Sequence, residues 1–226
     1  MIKKSLSIFI LLPVFLQVIS CKNADLSSDK GKYSYAIGMQ IGSNIKRQGL
    51  DIDVNSLGAG IQDTISGTKS RVSDEDIRKA MAALTQKMEG ERKDISVKSK
   101  KEGEEYLMKN KTKNGVVITK SGLQYEILKA GAGISPRADD TVKVHYSGTL
   151  INGTEFDSSH KRNQPAEFQV NRVIPGWTEA LQLMNRGAKF KLTIPSELAY
   201  GEEGTPGIPG NSVLIFEVEL LDILKK

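Results

Sequence analysis

Two periods divide this chain. Between residues 29 and 89, apolar side chains recur every three to four positions; from residue 123 they alternate with polar ones. Tyr33, Ile37, Ile41 and Ile45 lie four apart, which predicts one helix stripe from about Asp29. Gly49 and Asp51-Ile52-Asp53 break it. Val54, Leu57, Ile61 and Ile65 predict a second helix, with Gly67 as its stop. Ser73 then precedes Asp74, Glu75 and Asp76. A serine cap satisfies free N–H groups, and acids in the first turn suit the helix dipole. Ile77, Met81, Leu84 and Met88 give this third helix its stripe. Past Gly90 the stripe fades into Lys, Glu, Arg, Asp and Ser. A helix polar all round has no core to face, so residues 91–105 are expected to bridge solvent. If helical from Ser73 to Thr112, the segment spans roughly 60 Å at 1.5 Å per residue. Gly90 and Gly103 would each cost about 1 kcal/mol relative to alanine.

Three such helices bury too little surface to stand alone. The economical solution is a homodimer through residues 29–89, with the charged helix as a spacer. Gly38 and Gly42 either let two helices approach closely or merely loosen this one.

Asn114-Gly115 ends the helical region. Leu123, Tyr125 and Ile127 then alternate with polar residues, as in a half-buried strand. Val142, Val144 and Tyr146 open a longer strand reaching Leu150, and Asn152-Gly153 signals a hairpin. Phe156-Asp157 starts the return, and Phe168 and Val170 mark another short strand. Pro175 suits a helix start, and a short helix is expected through Met184, with Gly187 after it. Phe190, Leu192 and Ile194 alternate; a long loop follows from Pro195 to Asn211. Leu214, Phe216, Val218 and Leu220 form one face of the last strand. The fold class is therefore α+β: an antiparallel sheet whose apolar face a short helix must cover, preceded by an all-α arm.

Composition changes this picture little. The net charge is +5, with no basic stripe interleaved with aromatics, so no nucleic acid partner is expected. With one cysteine and two separated histidines, the ligands of a structural zinc are lacking; no metal and no cofactor are expected. The N-terminus matters more. Lys3 and Lys4 precede an apolar run from Leu6 to Ile19, shorter than the ~18 to 20 residues of a spanning helix. That is the layout of a secretory signal. Val18-Ile19-Ser20-Cys21 resembles a bacterial lipobox, in which cleavage leaves a lipid-bearing cysteine. Each buried CH₂ of an acyl chain contributes about 0.8 kcal/mol, so Cys21 is expected to anchor the protein to a membrane. Lys22, where some bacteria use aspartate for inner-membrane retention, leans the expectation towards the outer membrane, at its periplasmic or surface face.

Aromatic residues make up only 6% of the chain, yet Tyr146, Phe156, Phe168, Trp177, Tyr200 and Phe216 each fall in a different element of the C-terminal half. They read as ordinary core or as the lining of one pocket; Asp157 is the acid placed among them.

The motifs decide between these readings. Val144-His145-Tyr146-Ser147-Gly148-Thr149-Leu150, Phe156-Asp157-Ser158-Ser159, Val173-Ile174-Pro175-Gly176-Trp177, Ala199-Tyr200-Gly201 and Phe216-Glu217-Val218-Glu219-Leu220-Leu221 resemble the FK506-binding-protein family of peptidyl-prolyl isomerases. The match is in order and covers nearly all of residues 118–224. With the arm and lipobox, the chain resembles the macrophage infectivity potentiator and FkpA-like group of dimeric bacterial isomerases.

The resemblance implies a pocket between sheet and short helix. Trp177 would form its floor, and Tyr146, Phe156, Phe168 and Phe216 its walls. Val173 leads to Ile174, whose N–H would donate to a bound carbonyl, as would the Tyr200 hydroxyl. Asp157 would sit at the rim and Ile208 would close over the top. Ala166 stands where cytosolic members carry an aromatic, so one wall is expected to be low. An FK506-like ligand is implied.

The chemistry suits these residue types. Rotation about a peptide bond faces a barrier of ~18 to 20 kcal/mol. The twisted amide is less polar than the planar one, so an apolar pocket favours it, and directed donors can hold its carbonyl. Lowering the barrier by about 5 to 7 kcal/mol gives roughly 10⁴ to 10⁵ in rate. The expected layout is a signal peptide over residues 1–20, a tether over 21–28, a helical dimerisation region over 29–115 and an isomerase domain over 116–226. The expected clients are proline-containing unfolded or nascent proteins outside the cytoplasm. The alternative is a dimeric chaperone or surface adhesion module that uses the pocket only to bind clients.

Overall fold

The computed structural model describes residues 24–224; the expected signal peptide and Cys21 lie outside the described residues. Two compact units divide the chain, one ending at Lys46 and one beginning at Arg47.

Helix α1 (Asp29–Arg47) has no buried residue; Tyr33 and Ile37 are each 56% exposed. Helix α2 (Val54–Ile65) starts at Asp53, whose carboxylate accepts the Ser56 N–H at 2.6 Å. Hydrogen bonding from the Ser56 side chain, and then from its backbone N–H, holds the Asp53 carboxyl below its usual pKa. Helix α3 (Asp74–Asn110) is continuous, and the Ser73 hydroxyl accepts the Asp76 N–H at its start. Gly90 and Gly103 do not interrupt it.

The C-terminal region is one antiparallel sheet: β1 (Val116–Ile118), β2 (Gln124–Lys129), β3 (Thr141–Leu150), β4 (Glu155–Ser158), β5 (Ala166–Gln169), β6 (Lys189–Ile194) and β7 (Leu214–Leu224). The order is β1-β2-β6-β7-β3-β4, and β5 pairs with β3 beside β4. Strands β3 and β7 pair along their whole length, from Thr141 with Leu224 to Leu150 with Leu214. Period-two burial follows the sequence: Val142, Val144 and Tyr146 point inward, as do Leu214, Phe216, Val218 and Leu220.

Helix α4 (Pro175–Leu183) covers this face. Proline occupies its first turn, and Trp177, Ala180 and Leu181 are buried at helical spacing. Gly176 allows the close approach: a Cβ there would lie 2.5 Å from Ile194 Cγ2.

Three details depart from the sequence pattern. Val170 is buried in a 3₁₀ turn (Val170–Arg172) rather than in a strand. On β2, Gln124 is buried while Ile127 is half exposed, because Gln124 pairs with the end of α3. And α3 does not simply bridge solvent. Its least exposed positions after Gly90 are Ser96, Ser99, Gly103, Tyr106, Leu107 and Asn110, one stripe of which Gly103 and Asn110 are fully buried. Apart from Tyr106 and Leu107, the contact surface is made of small and polar groups, so no hydrophobic period announces it.

Candidate active site

A cleft opens between the inner face of the sheet and the start of α4. Trp177, in the first turn of α4 and 5% exposed, forms its floor. Tyr146 of β3 meets the indole edge-on, with ring centroids 5.2 Å apart at 89°. Phe216 of β7 does so at 5.2 Å and 81°, and Phe168 of β5 at 5.7 Å and 85°. Phe156 of β4 stands against Phe216 at 5.5 Å and 84°. Edge-to-face pairs of this kind are worth about 0.5–1.5 kcal/mol each beyond the area they bury. The four walls thus fix one another around the floor.

The backbone makes room for them. Gly148 lies directly across from Phe216 on β7, and a Cβ there would come within 2.6 Å of the Phe216 ring and 2.8 Å of Phe156. The indole N–H of Trp177 is buried without a partner among the described residues. That costs about 1–3 kcal/mol, which the packed rings must offset.

The rim is electrostatic. The Tyr146 hydroxyl donates to Asp157 Oδ2 at 2.5 Å. Arg162 donates to Asp157 Oδ1 at 2.5 Å and to the Tyr146 oxygen at 2.8 Å, closing a three-membered ring of bonds. Its guanidinium also lies 5.7 Å from the Tyr146 ring centroid. Burial, then the Asp157 bond, raises the Tyr146 pKa. For Asp157, burial would raise the pKa, but the bonds from Tyr146 and Arg162 outweigh it and hold the carboxyl below its usual 3.8. Ser159 fixes the loop behind this rim: its hydroxyl accepts the Tyr146 N–H at 2.8 Å and its N–H donates to the Tyr146 carbonyl.

Ten residues singled out from the sequence line one cavity: Tyr146, Phe156, Asp157, Phe168, Val173, Ile174, Trp177, Tyr200, Ile208 and Phe216. The Ile174 carbonyl accepts the Trp177 and Thr178 N–H groups, while no acceptor among the described residues takes its own N–H. Tyr200 is 42% exposed at the mouth, and Ile208 is buried under its loop. Ala166 does not line the cavity, whereas Phe168, two residues on along β5, does. His145 points away from the pocket, stacks on His160 at 4.6 Å and meets the Ser159 hydroxyl at 3.0 Å. Sequence reasoning missed Arg162, a cation in a polar loop; its place five residues after Asp157, just before Asn163-Gln164-Pro165, was the available signal. Among the described residues, no group of three His, Cys, Asp or Glu side chains is placed to hold a metal ion.

An antiparallel sheet wrapped over one short helix, with an aromatic cup between them, is the arrangement expected of an FK506-binding-protein fold. The family models agree. "FKBP-type peptidyl-prolyl cis-trans isomerase" matches residues 133–221, and "Domain amino terminal to FKBP-type peptidyl-prolyl isomerase" matches residues 30–127. The FKBP-type peptidyl-prolyl cis-trans isomerase FkpA of Aeromonas hydrophila is 45% identical over 213 residues, covering 89% of this chain and 79% of that one. The outer membrane protein MIP of Legionella longbeachae is 43% identical over 205 residues, covering 88% of each. The crystal structure of FkpA from Escherichia coli superposes with a TM-score of 0.62 at 39% identity, over 88% of this chain and 98% of that one. This chain belongs to the FKBP-type peptidyl-prolyl cis-trans isomerase family, and it is a prolyl isomerase.

Proposed function

We propose that the cup around Trp177 is where this enzyme turns X-Pro bonds. The proline ring rests on the indole between Tyr146, Phe168 and Phe216. The apolar walls disfavour the planar, polar amide more than the twisted one. The Ile174 N–H and the Tyr200 hydroxyl donate to the carbonyls that flank the proline. Asp157 and Arg162 hold Tyr146 in place at the rim. Val173 and Ile208 bound the remaining sides, and a proline-mimicking FK506-like macrocycle fits the same cup. The observation that carries this reading is the convergence of three rings edge-on upon one buried indole. Replacing Trp177 with Leu in the full chain should lower kcat/KM on an X-Pro tetrapeptide by about tenfold or more, as loss of about 1.4 kcal/mol or more of transition-state stabilisation requires. A wild-type rate in that variant would overturn the reading.

A second activity has its own support. The apolar stripes of α1, α2 and the start of α3 lie open: Ile37, Ile61, Ile77 and Met81 are all exposed. Two copies of this chain covering them in a homodimer through residues 29–89 would present two cups to one unfolded client, and so act as a chaperone. The variant Ile37→Glu/Ile61→Glu should be monomeric and lose suppression of client aggregation. A dimer that persists in that variant contradicts the proposal.

The site of action is extracytoplasmic, at a membrane reached through a lipid on Cys21. Its support is the lipobox and the likeness to a protein named for the outer membrane. No helix among the described residues is long and apolar enough to cross a membrane. Cys21→Ser should move the protein from the membrane to the soluble fraction of a cell extract; membrane association that survives the change refutes the anchor.

A further inference from the structure

The loop between β6 and β7 forms the mouth of the cup. Tyr200, Thr205, Pro206, Gly207 and Ile208 all face the cavity. The loop is closed on itself: the Asn211 N–H donates to the Gly201 carbonyl at 2.8 Å, and Thr205 and Ile208 exchange backbone bonds at its tip. None of these bonds ties it to the sheet beneath. One side of its base is tied to Ser196, whose carbonyl accepts the Gly201 N–H at 2.8 Å; the rest of its base is held from elsewhere.

That elsewhere is α3. The Asn211 amide donates to Ser96 Oγ at 2.8 Å, and the Ser96 hydroxyl points on to the Glu202 carbonyl at 3.5 Å. One serine of the helix thus bridges both sides of the loop base. Asn211 carries a positive φ of 58°, a left-handed conformation that asparagine tolerates, and this aims its amide at the helix. The fit is tight. A Cβ on Gly210 would lie 2.9 Å from Ser96 Oγ, and a Cβ on Gly103 would lie 2.9 Å from Val213 Cγ2, at the loop's exit into β7. Lower down, the buried Asn110 amide donates to Gln124 Oε1 at 2.9 Å and to Thr193 at 3.4 Å, and Gln124 donates to the Leu107 carbonyl at 3.1 Å. Ser96, Gly103 and Asn110 are seven residues apart, so they share one helix face over about 21 Å at 1.5 Å per residue. Asn110 fixes the helix to the sheet, Gly103 sets its distance, and Ser96 takes hold of the loop.

We infer that α3 is a positioning element for catalysis: through Ser96 it holds the 200–211 loop so that Tyr200 and Ile208 stay over the cup. This rests on the reading of the cup as the isomerase site. Ser96 touches no substrate. It raises the fraction of molecules whose loop is set to receive a proline segment, and apparent affinity scales with that fraction.

Full-length variants test it, among them Ser96→Ala, Asn211→Gly, which keeps the left-handed backbone, and the two together. Steady-state kinetics on an X-Pro tetrapeptide should show KM raised about fivefold in Ser96→Ala, as a fall of the competent fraction to about one fifth would give, with kcat within twofold. The double variant should be no worse than Ser96→Ala, since that change already removes the Asn211 bond along with the one to Glu202. Ser96→Thr, which keeps the hydroxyl, should restore most of the loss. Amide exchange at Gly201, Gly204, Ile208 and Asn211 should quicken in Ser96→Ala. General destabilisation would instead lower apparent kcat and leave KM alone. Wild-type KM and wild-type loop exchange in Ser96→Ala, beside a Trp177→Leu variant that has lost activity, overturn the positioning role and leave the site reading intact. Full activity in Trp177→Leu overturns both.

Discussion

In the sheet domain, Val142, Val144, Leu214 and Val218 are fully buried; on the α1 stripe, Tyr33 and Ile37 are more than half exposed. Both sets are strongly periodic in sequence. The difference lies in what each stripe can reach within one chain. Strands β3, β6 and β7 pair with one another and present a common face that α4 covers. The stripes of α1 and α2 end with no residue buried. A period therefore specifies the element and the face to be covered; the cover itself comes from topology, and for the arm the homodimer proposed above would supply it.

One substitution type applied to both regions tests this contrast most strongly. Val144→Glu places a charge at a fully buried position of β3 and should abolish folding of the sheet domain, lost as a cooperative urea transition. Ile37→Glu, on the half-exposed stripe, should leave that transition and tetrapeptide kcat/KM unchanged and alter only the sedimentation of the full chain. Equal effects of the two would break the comparison.

A smaller effect belongs to Gly148. Adding one methyl there forces the Phe156 and Phe216 rings apart, and overpacking of this kind costs about 1–3 kcal/mol. Gly148→Ala should therefore lower the urea midpoint and weaken tetrapeptide binding together. Gly38→Ala in α1, where nothing lies within 4 Å, should stabilise its helix or do nothing in the same assay.

The rim predicts a weaker, pH-dependent effect. Asp157 has a folded-state pKa held below 3.8, so its contribution to stability is present above that value and lost as pH falls through the folded pKa. The pair is partly exposed, which limits the contribution to about 1 kcal/mol or less. Stability measured from pH 6 down to 2.5 should fall less steeply in Asp157→Asn than in the wild type. Parallel curves would detach Asp157 from the rim network. Smallest of all is Glu75→Ala on α3, which removes an exposed pair with Lys79 and should cost about 0.3–0.5 kcal/mol.

Most of the fold was legible because the sheet uses alternation and the helices use capped, stop-marked stripes. The five motif segments supplied eight of the ten cavity residues, Phe168 and Ile208 lying outside them, and the ten come from β3, β4, β5, α4, β7 and the loops between them. Three features were not legible, each for a physical reason. The docked face of α3 is Ser96, Gly103 and Asn110, which bind through hydrogen bonds and close approach, so hydrophobic periodicity is blind to it. Arg162 sits in a run of polar residues and takes its meaning from Asp157 together with Tyr146, which is distant in sequence. Gln124 is buried in place of Ile127 because a polar partner waits at the end of α3. Polar contacts carry no period; they become visible only when both partners are placed.

The central claim is that one cup, floored by Trp177, performs the isomerisation. Trp177 is the chain's single tryptophan, so its fluorescence reports occupancy of that cup alone. The decisive measurement is a titration with a proline-mimicking FK506-like macrocycle, following tetrapeptide isomerisation and Trp177 emission in the same samples. The account predicts that the rate falls to the uncatalysed value in step with the change in emission. Catalysis that persists after the emission has saturated would contradict it.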